Sequence, residues 1–170
     1  MKKILLSLVI IIVSLTSYAQ KNDSKVKFNV GAELGFATGN LNIAYSIGLG
    51  ATAQLEYAMD EKSYITVNSG IIQYVGRKLP SIIPGVAATK IRNSAVIPIL
   101  AGVKYNFASN FYGAAELGVS VFSGASSLGT KFTYIPGLGF KINDKLDVLV
   151  KYTGYSDAGG AFGVRVAYSL

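Results

Sequence analysis

The sequence predicts an all-β fold, a transmembrane, antiparallel, up-and-down β-barrel of about eight strands. Three observations support this prediction. Hydrophobicity alternates with a period of two from Phe28 onward, which is the period of a strand whose two faces meet different surroundings. Charged residues make up 15% of the chain, whereas a typical soluble domain has about 25%. Short turns alternate with longer loops, as they do in a barrel inserted into a membrane from one side.

The N-terminal segment has the three-part order of a secretory signal peptide. Lys2 and Lys3 precede an apolar run over 4–15, and the small residues Ser17 and Ala19 stand where a signal peptidase cleaves. The apolar run is shorter than the ~20 residues that a membrane-spanning helix needs. We therefore predict a signal peptide over 1–19, cleaved near Ala19, and one barrel domain over 20–170.

Eight segments carry the alternating pattern, and no segment after the signal peptide predicts a helix. The predicted strands cover 26–38, 43–57, 63–75, 95–107, 111–122, 130–142, 145–156 and 161–170. The clearest is 43–57, where one face carries Tyr45, Ile47, Leu49 and Leu55 and the other carries Ser46, Gly48, Thr52 and Gln54. A slip of one residue would exchange these two faces.

The connections place both termini at one end of the predicted barrel. Short turns are expected near 59–62, 108–110 and 143–144, and longer loops at 38–42, 76–94, 123–129 and 157–160. In membrane barrels of this type the short turns lie in the periplasm and the longer loops lie outside the cell. We refer to the two ends as the short-turn end and the loop end.

The composition of the two faces predicts which one meets lipid. A soluble barrel places bulky apolar side chains inside and a dense charged coat outside. Here the second face consists mostly of Gly, Ala, Ser and Thr with occasional charges, which suits a narrow lumen better than a solvent-facing coat. Aromatic residues are expected to form two belts at the membrane interfaces. The short-turn belt comprises Phe28, Tyr57, Tyr105, Phe107, Phe111, Phe140 and Tyr168, and the loop-end belt Phe36, Tyr45, Tyr134, Tyr152 and Phe162.

Segments 97–107 and 114–118 resemble the eight-stranded outer-membrane β-barrels of Gram-negative bacteria, the group of small OmpX-like and OmpA-like barrels, particularly those of Bacteroidota. The resemblance extends over essentially the whole chain after the signal peptide, but it is a pattern without a catalytic motif. The family usually ends in an aromatic residue, whereas this chain ends Tyr168-Ser169-Leu170. The resemblance implies an integral protein of the cell envelope that contacts outer-membrane lipid and lipopolysaccharide, and the barrel-insertion machinery during assembly.

The residue inventory argues against catalysis. The chain contains no His and no Cys, which removes Ser-His-Asp hydrolysis and His-ligated metal sites. The Gly48-Leu49-Gly50 and Gly137-Leu138-Gly139 stretches do not open a helix after a strand, so they do not predict a nucleotide site. We expect no cofactor, and the scattered charges together with the export signal argue against nucleic acid.

The inward face carries acids and bases that we predict to form a structural polar network. Its members are Glu33, Glu56, Lys104, Glu116, Lys151 and Arg165. An unpaired charge in a narrow lumen is costly, and an eight-stranded barrel is about wide enough for its own side chains. Glu33 and Arg165 should lie at similar depth on neighbouring strands, within reach of a salt bridge or of one bridging water.

The long loop 76–94 is a candidate contact surface. It mixes cations with apolar residues, namely Arg77, Lys78, Ile82, Ile83, Lys90 and Arg92. Cations at the outer leaflet meet anionic headgroups, so one interpretation is contact with lipopolysaccharide phosphates or with a protein partner. The alternative is a strand extension above the membrane with a loop at its tip, and the sequence leaves both open.

The function that the sequence supports is that of a non-enzymatic outer-membrane protein with a structural or surface-binding role. Two alternatives from other classes remain. One is a narrow pore or small-ligand transporter, and the other is a soluble periplasmic barrel that binds a ligand.

Overall fold

The computed structural model describes residues 25–80, 89–124 and 128–170. The predicted signal peptide over 1–19 lies outside this part of the chain. The described residues form one short helix and ten strands, of which β4 and β5 are two residues long. These elements are β1 (Val26–Thr38), α1 (Leu41–Ala44), β2 (Tyr45–Ala58), β3 (Ser63–Gly76), β4 (Lys78–Leu79), β5 (Thr89–Lys90), β6 (Ser94–Asn106), β7 (Phe111–Ser123), β8 (Thr130–Lys141), β9 (Leu146–Tyr155) and β10 (Gly159–Ser169).

Eight of these strands close into a barrel in which every neighbouring pair is antiparallel. The order around the barrel is β1-β10-β9-β8-β7-β6-β3-β2. The first strand pairs with the last from Asn29↔Ser169 to Thr38↔Gly160, and this pairing closes the barrel without an open edge. β4 and β5 form a separate two-stranded hairpin between β3 and β6. The predicted fold class is confirmed.

The strand bounds follow the sequence pattern closely, but the loop before β2 differs from the prediction. Observed and predicted bounds of the barrel strands differ by two residues at most. The expectation of no helix is wrong for one turn, α1. Gly39 adopts a positive φ of 57°, and α1 then buries Leu41 beneath the loops at 2% exposure. Within the described residues, no helix has the length and hydrophobicity to cross a membrane.

The register of β2 agrees with the prediction from Ile47 onward. Ile47, Leu49 and Leu55 are exposed on the barrel exterior, whereas Thr52 and Gln54 are buried inside. Tyr45 was expected on the exterior and in the loop-end aromatic belt, and this is wrong, because it is 2% exposed and lies in the interior. The pairing of β2 with β3 is irregular between Tyr45 and Gly48. This accounts for the difference, because an extra residue in one strand reverses the face on which the preceding residues lie.

The barrel exterior is apolar on all eight strands, and the interior holds polar and charged groups. Exposed positions include Leu34, Leu49, Ile71, Ile99, Leu117, Leu138, Val150 and Phe162, one from each barrel strand. The predicted belt residues Phe36, Tyr57, Tyr105, Phe107, Phe111, Tyr134, Phe140, Phe162 and Tyr168 are exposed, while Phe28 and Tyr152 are partly exposed. This arrangement is the inverse of a soluble protein, in which charges lie outside.

Candidate functional site

The barrel lumen collects the charged residues that the sequence pattern places on the inward face. All six predicted network members are nine-tenths or more buried: Glu33, Glu56, Lys104, Glu116, Lys151 and Arg165. They come from β1, β2, β6, β7, β9 and β10. The alternation of each strand brings them to the interior, because inward and outward positions follow each other with a period of two. Their role in stability stays a prediction.

Near the middle of the lumen, Glu33 is held by two side chains. Its Oε2 lies 2.6 Å from the Lys151 Nζ, and its Oε1 accepts a hydrogen bond of 2.9 Å from the Thr52 hydroxyl. On the opposite wall, the Glu116 carboxylate accepts a hydrogen bond of 3.2 Å from the Asn68 amide. The hydrogen bond from Thr52 joins neighbouring strands, whereas the Glu33–Lys151 and Glu116–Asn68 contacts each span one intervening strand and so connect parts of the wall that are not paired in the sheet.

The predicted contact between Glu33 and Arg165 is confirmed in register but is not a direct ion pair, and contact through one bridging water stays a prediction. Arg165 does lie opposite Glu33 on the neighbouring strand, as predicted, but the ion pair of Glu33 within 4 Å is made by Lys151. The reason is the direction of the Arg165 side chain, whose stem runs beside Gly31, one inward position closer to the short-turn end. A Cβ on Gly31 would lie 2.9 Å from the Arg165 Cγ. Glycine at this position therefore makes room for the arginine stem.

A second group of charges lies toward the short-turn end, around Lys104. The Lys104 Nζ is 2.9 Å from Glu56 Oε1 and 3.8 Å from Asp147 Oδ2. It also lies 4.2 Å from the ring centroid of Tyr112, and the Tyr112 hydroxyl donates a hydrogen bond of 2.7 Å to Asp147. We refer to Glu56, Lys104, Tyr112 and Asp147 as the lower cluster.

Tyr112 was not among the predicted site residues, although its partner on the next strand gives a signal. Gly139 stands directly opposite Tyr112, and a Cβ on Gly139 would lie 2.0 Å from the Tyr112 Cζ. The ring therefore lies across a glycine in the barrel wall. Once the register is known, the sequence shows that the inward Tyr112 stands opposite a glycine on the neighbouring strand, and this pairing could have identified Tyr112 as a lumen residue.

The loop end of the lumen is filled by an apolar cluster, which we call the tyrosine plug. Its members are Ala37, Leu41, Tyr45, Ile72, Tyr74, Val96, Phe122, Tyr155, Ala158 and Ala161. The Tyr74 and Tyr155 hydroxyls lie 3.2 Å apart and share a hydrogen bond, and the Phe122 and Tyr155 rings pack edge to face with centroids 5.1 Å apart. This plug was not predicted from the sequence, although the inward phase of β3 includes Ile72 and Tyr74.

The loop hairpin β4–β5 divides the predicted contact residues into two groups. Arg77 is held by two hydrogen bonds. Its Nε donates one of 3.2 Å to the Tyr45 carbonyl oxygen, and its guanidinium group donates the other to Asn42 Oδ1. Lys78 and Lys90 are exposed and stand directly opposite each other across the hairpin. Arg92 is exposed beyond it, whereas Ile82 and Ile83 lie outside the described residues. The described part of the loop thus contains a strand extension, which the sequence left open as the alternative to a contact surface.

The acidic side chains of the lumen do not form a group of metal ligands in the part of the chain that the structure describes. Residues 25–80, 89–124 and 128–170 contain no group of three or more His, Cys, Asp or Glu side chains placed to hold an ion. The buried carboxylates are instead held by ammonium, hydroxyl and amide groups.

Comparison with known proteins places the chain by its fold. No protein-family model and no curated protein sequence matches it. A solution NMR structure of the de novo designed TMB2.3 aligns with a TM-score of 0.57 and 13% identity, covering 88% of this chain and 98% of that one. Another structure from the de novo design of transmembrane β-barrels gives a TM-score of 0.54 at 14% identity, covering 89% and 100%. The Yersinia pestis outer membrane protein Ail in a phospholipid bilayer nanodisc gives 0.53 at 13% identity, covering 85% and 99%. At such identities the likeness establishes the fold alone.

Proposed function

We propose that this protein is an integral outer-membrane β-barrel of the small OmpX-like kind, with a non-enzymatic role in binding at the cell surface. The observation that carries the proposal is the inverted barrel, which is apolar outside and charged inside. The longer strands are 13 or 14 residues long, which is more than the ~9–11 residues that a strand tilted by ~45° needs to cross a bilayer. A closed barrel also satisfies the backbone hydrogen bonds that lipid cannot satisfy.

Surface binding is supported by the exposed cations of the loop hairpin. Like charges directly opposite each other in a two-stranded sheet repel, and this is the arrangement of Lys78 and Lys90. Among the described residues, no carboxylate lies within 4 Å of Lys78, Lys90 or Arg92. A phosphate group of lipopolysaccharide would offset that repulsion, because charge-assisted hydrogen bonds to phosphate are among the stronger ones in proteins.

The contents of the lumen favour this role over that of a pore. The four central charged residues are two acids, Glu33 and Glu116, and two bases, Lys151 and Arg165, so their formal charges cancel. The tyrosine plug fills the loop end above them. Side chains that bind one another across an eight-stranded barrel leave little room for a continuous water path. We expect no unitary conductance in planar-bilayer recordings of the purified protein.

Fractionation of cells that express the full chain tests the membrane location. We expect the protein in the outer-membrane fraction, with heat-modifiable migration on a gel because a closed barrel resists detergent until it is boiled. Recovery from the detergent-free periplasmic fraction would instead support the soluble ligand-binding barrel.

A pair of substitutions tests which face meets lipid. Leu49→Arg introduces a charge on the exterior of β2 and should cost about 2–4 kcal/mol of folding free energy in vesicles if that face is lipid-exposed. Met59→Arg is the matched control, since Met59 is also exposed but lies in the turn after β2. Its cost should be about 0–1 kcal/mol. Equal costs at both positions would contradict a lipid-facing exterior.

The hairpin proposal has its own test. Lys78→Gln together with Lys90→Gln should weaken binding of the folded barrel to lipopolysaccharide in a pull-down. Lys62→Gln, an exposed lysine in the β2–β3 turn at the other end, should leave binding unchanged. Retention of full binding by the double variant would overturn the assignment of the hairpin.

A further inference from the structure

The lumen ends in a polar pocket at the short-turn end. The pocket has a volume of about 190 Å³ and lies between strand ends from β1, β2, β3, β6, β8, β9 and β10, beside the β8–β9 turn. Its floor is part of the lower cluster, with Glu56, Lys104 and Asp147, and its rim carries Lys27, Lys141, Lys145 and Asp144. The pocket is thus open at the end opposite the tyrosine plug.

Two rim lysines stand opposite acids whose carboxylates interact with a different base. Lys27 stands directly opposite Glu56 on the neighbouring strand, and Lys141 stands directly opposite Asp147. Opposite charges in these positions ordinarily pair.

Here both carboxylates turn toward the interior instead. Glu56 lies 2.9 Å from the Lys104 Nζ, while Asp147 lies 3.8 Å from it and accepts the Tyr112 hydroxyl. As a result, no carboxylate in the described residues lies within 4 Å of Lys27 or Lys141.

The cations at the mouth crowd one another. Lys141 is half-buried, and it is repelled by the charges of Lys104 and Lys27 while it is attracted by those of Glu56 and Asp147. Lys145 adds a third rim cation, against the single rim acid Asp144. The whole lining carries four lysines and three acids, and the two floor acids lie within 4 Å of Lys104, so the surplus positive charge lies at the rim, where it attracts anions.

We propose that this mouth pocket binds a phosphate group between the ammonium groups of Lys27 and Lys141, with Lys145 at its edge. A phosphate monoester carries about −1.5 to −2 charges at neutral pH, which matches the two ammonium groups that lack a carboxylate. The pocket is smaller than the roughly 300 Å³ of common small-molecule sites, so it suits one such group and not a larger ligand. The phosphate comes either from a free solute or from a phospholipid headgroup. The pocket lies at the other end of the barrel from the loop hairpin, so the inference does not depend on lipopolysaccharide binding.

The experiment is an amide-resolved NMR titration of the full chain folded in uncharged, phosphate-free maltoside micelles. One arm adds inorganic phosphate at constant ionic strength, and the other adds micelles doped with phosphatidic acid, a lipid phosphate monoester, in the absence of free phosphate. Saturable shifts confined to residues at the short-turn end are expected in the first arm. If they appear in the second arm alone, the site stands and its phosphate source is lipid.

Four variants separate a site from general electrostatic attraction. Lys27→Gln and Lys141→Gln should each weaken binding by about tenfold, whereas Lys27→Arg, which keeps the charge, should retain it. Lys62→Gln at the same end but outside the pocket should bind like the parent protein. Heat-modifiable migration verifies that each variant is folded. Absence of saturable shifts in both arms, or equal weakening by Lys62→Gln, would overturn the proposal.

Discussion

The two halves of the lumen are occupied by different kinds of side chain, apolar in one half and charged in the other. Toward the loops, the tyrosine plug fills the barrel with aromatic and aliphatic side chains. From the middle to the short-turn end, the barrel is filled by charges that bind one another, through Lys151 and Glu33 and through the lower cluster. The two halves depend on different energetic contributions, since apolar contacts are non-directional whereas buried charges need a partner of opposite sign.

This difference predicts where the barrel tolerates change. Truncating an apolar side chain in the plug leaves neighbours that lose contacts but stay compatible with their surroundings. Removing one partner from the charged half leaves an uncompensated charge in a narrow interior. The charged half should therefore be the more sensitive to single substitutions and the more tolerant of paired ones.

The largest effect is expected from breaking the central ion pair. Lys151→Ala should lower the free energy of unfolding by about 3–5 kcal/mol, because it leaves the Glu33 carboxylate buried without its cation. Replacing both residues, as in Glu33→Gln with Lys151→Met, should cost much less than the sum of the single changes. Denaturant titration of the barrel in lipid vesicles provides the free energies.

A second double-mutant cycle serves as the control for this prediction. Glu33 and Arg165 are neighbours in register, but the ion pair of Glu33 is with Lys151. Coupling should be large for Glu33 with Lys151 and smaller for Glu33 with Arg165. The reverse order would show that the direct contact does not dominate the energetics.

The sequence contained enough information for the barrel, but not for the partners inside it. Period-two alternation sets which residues face inward, and this placed Glu33, Lys151 and Arg165 in the lumen correctly. It does not set the direction of a long side chain, so the choice between Arg165 and Lys151 as the partner of Glu33 depended on the space left by Gly31. Tyr45 was misplaced for a related reason, because a register irregularity leaves no mark in a hydrophobicity pattern.

Replacing one glycine of the barrel wall by alanine in each half compares how well the two halves accommodate added volume. A Cβ on Gly139 would lie 2.0 Å from the Tyr112 ring, and one on Gly48 would lie 2.8 Å from the Tyr74 ring. Overpacking of this kind costs about 1–3 kcal/mol, and we expect Gly139→Ala to be the worse of the two. Both rings are held by a hydrogen bond, Tyr112 to Asp147 and Tyr74 to Tyr155, so the closer approach at Gly139 decides the order. Equal thermal shifts for the two variants would contradict this ranking.

A smaller effect should follow from removing a hydroxyl from the tyrosine plug. Tyr155→Phe leaves the buried Tyr74 hydroxyl without its 3.2 Å partner, which should cost about 1 kcal/mol. Tyr74→Phe combined with Tyr155→Phe should be nearly neutral, since no hydroxyl is then left unpaired. Guanidinium unfolding of the two variants measures this. A double variant that is less stable than the single one would show that the hydroxyl pair contributes more than its mutual hydrogen bond.

The smallest effect concerns pH and lies in two turns at the short-turn end that share one geometry. Asp60 Oδ1 accepts hydrogen bonds from the backbone N–H groups of Lys62 and Ser63, both at 2.8 Å. Asn143 Oδ1 accepts the equivalent bonds from Lys145 and Leu146, at 2.9 and 2.8 Å. The backbone hydrogen bond from Lys62, with those from Ser63, holds the pKa of the exposed Asp60 carboxyl below its ordinary value of 3.8.

A carboxyl whose pKa is lower in the folded than in the unfolded state stabilises the fold above the unfolded value, and this contribution is lost as the pH falls through the folded pKa. Asp60→Asn gives the β2–β3 turn the neutral acceptor that the β8–β9 turn already has. It should therefore flatten the pH dependence of stability below about pH 4 by a small amount, while Asn143→Asp should steepen it. Unfolding free energies measured between about pH 2 and pH 6 test both changes. If Asp60→Asn leaves the acid limb unchanged, the remaining slope belongs to the buried carboxylates of the charged half, and the turn contributes none of it.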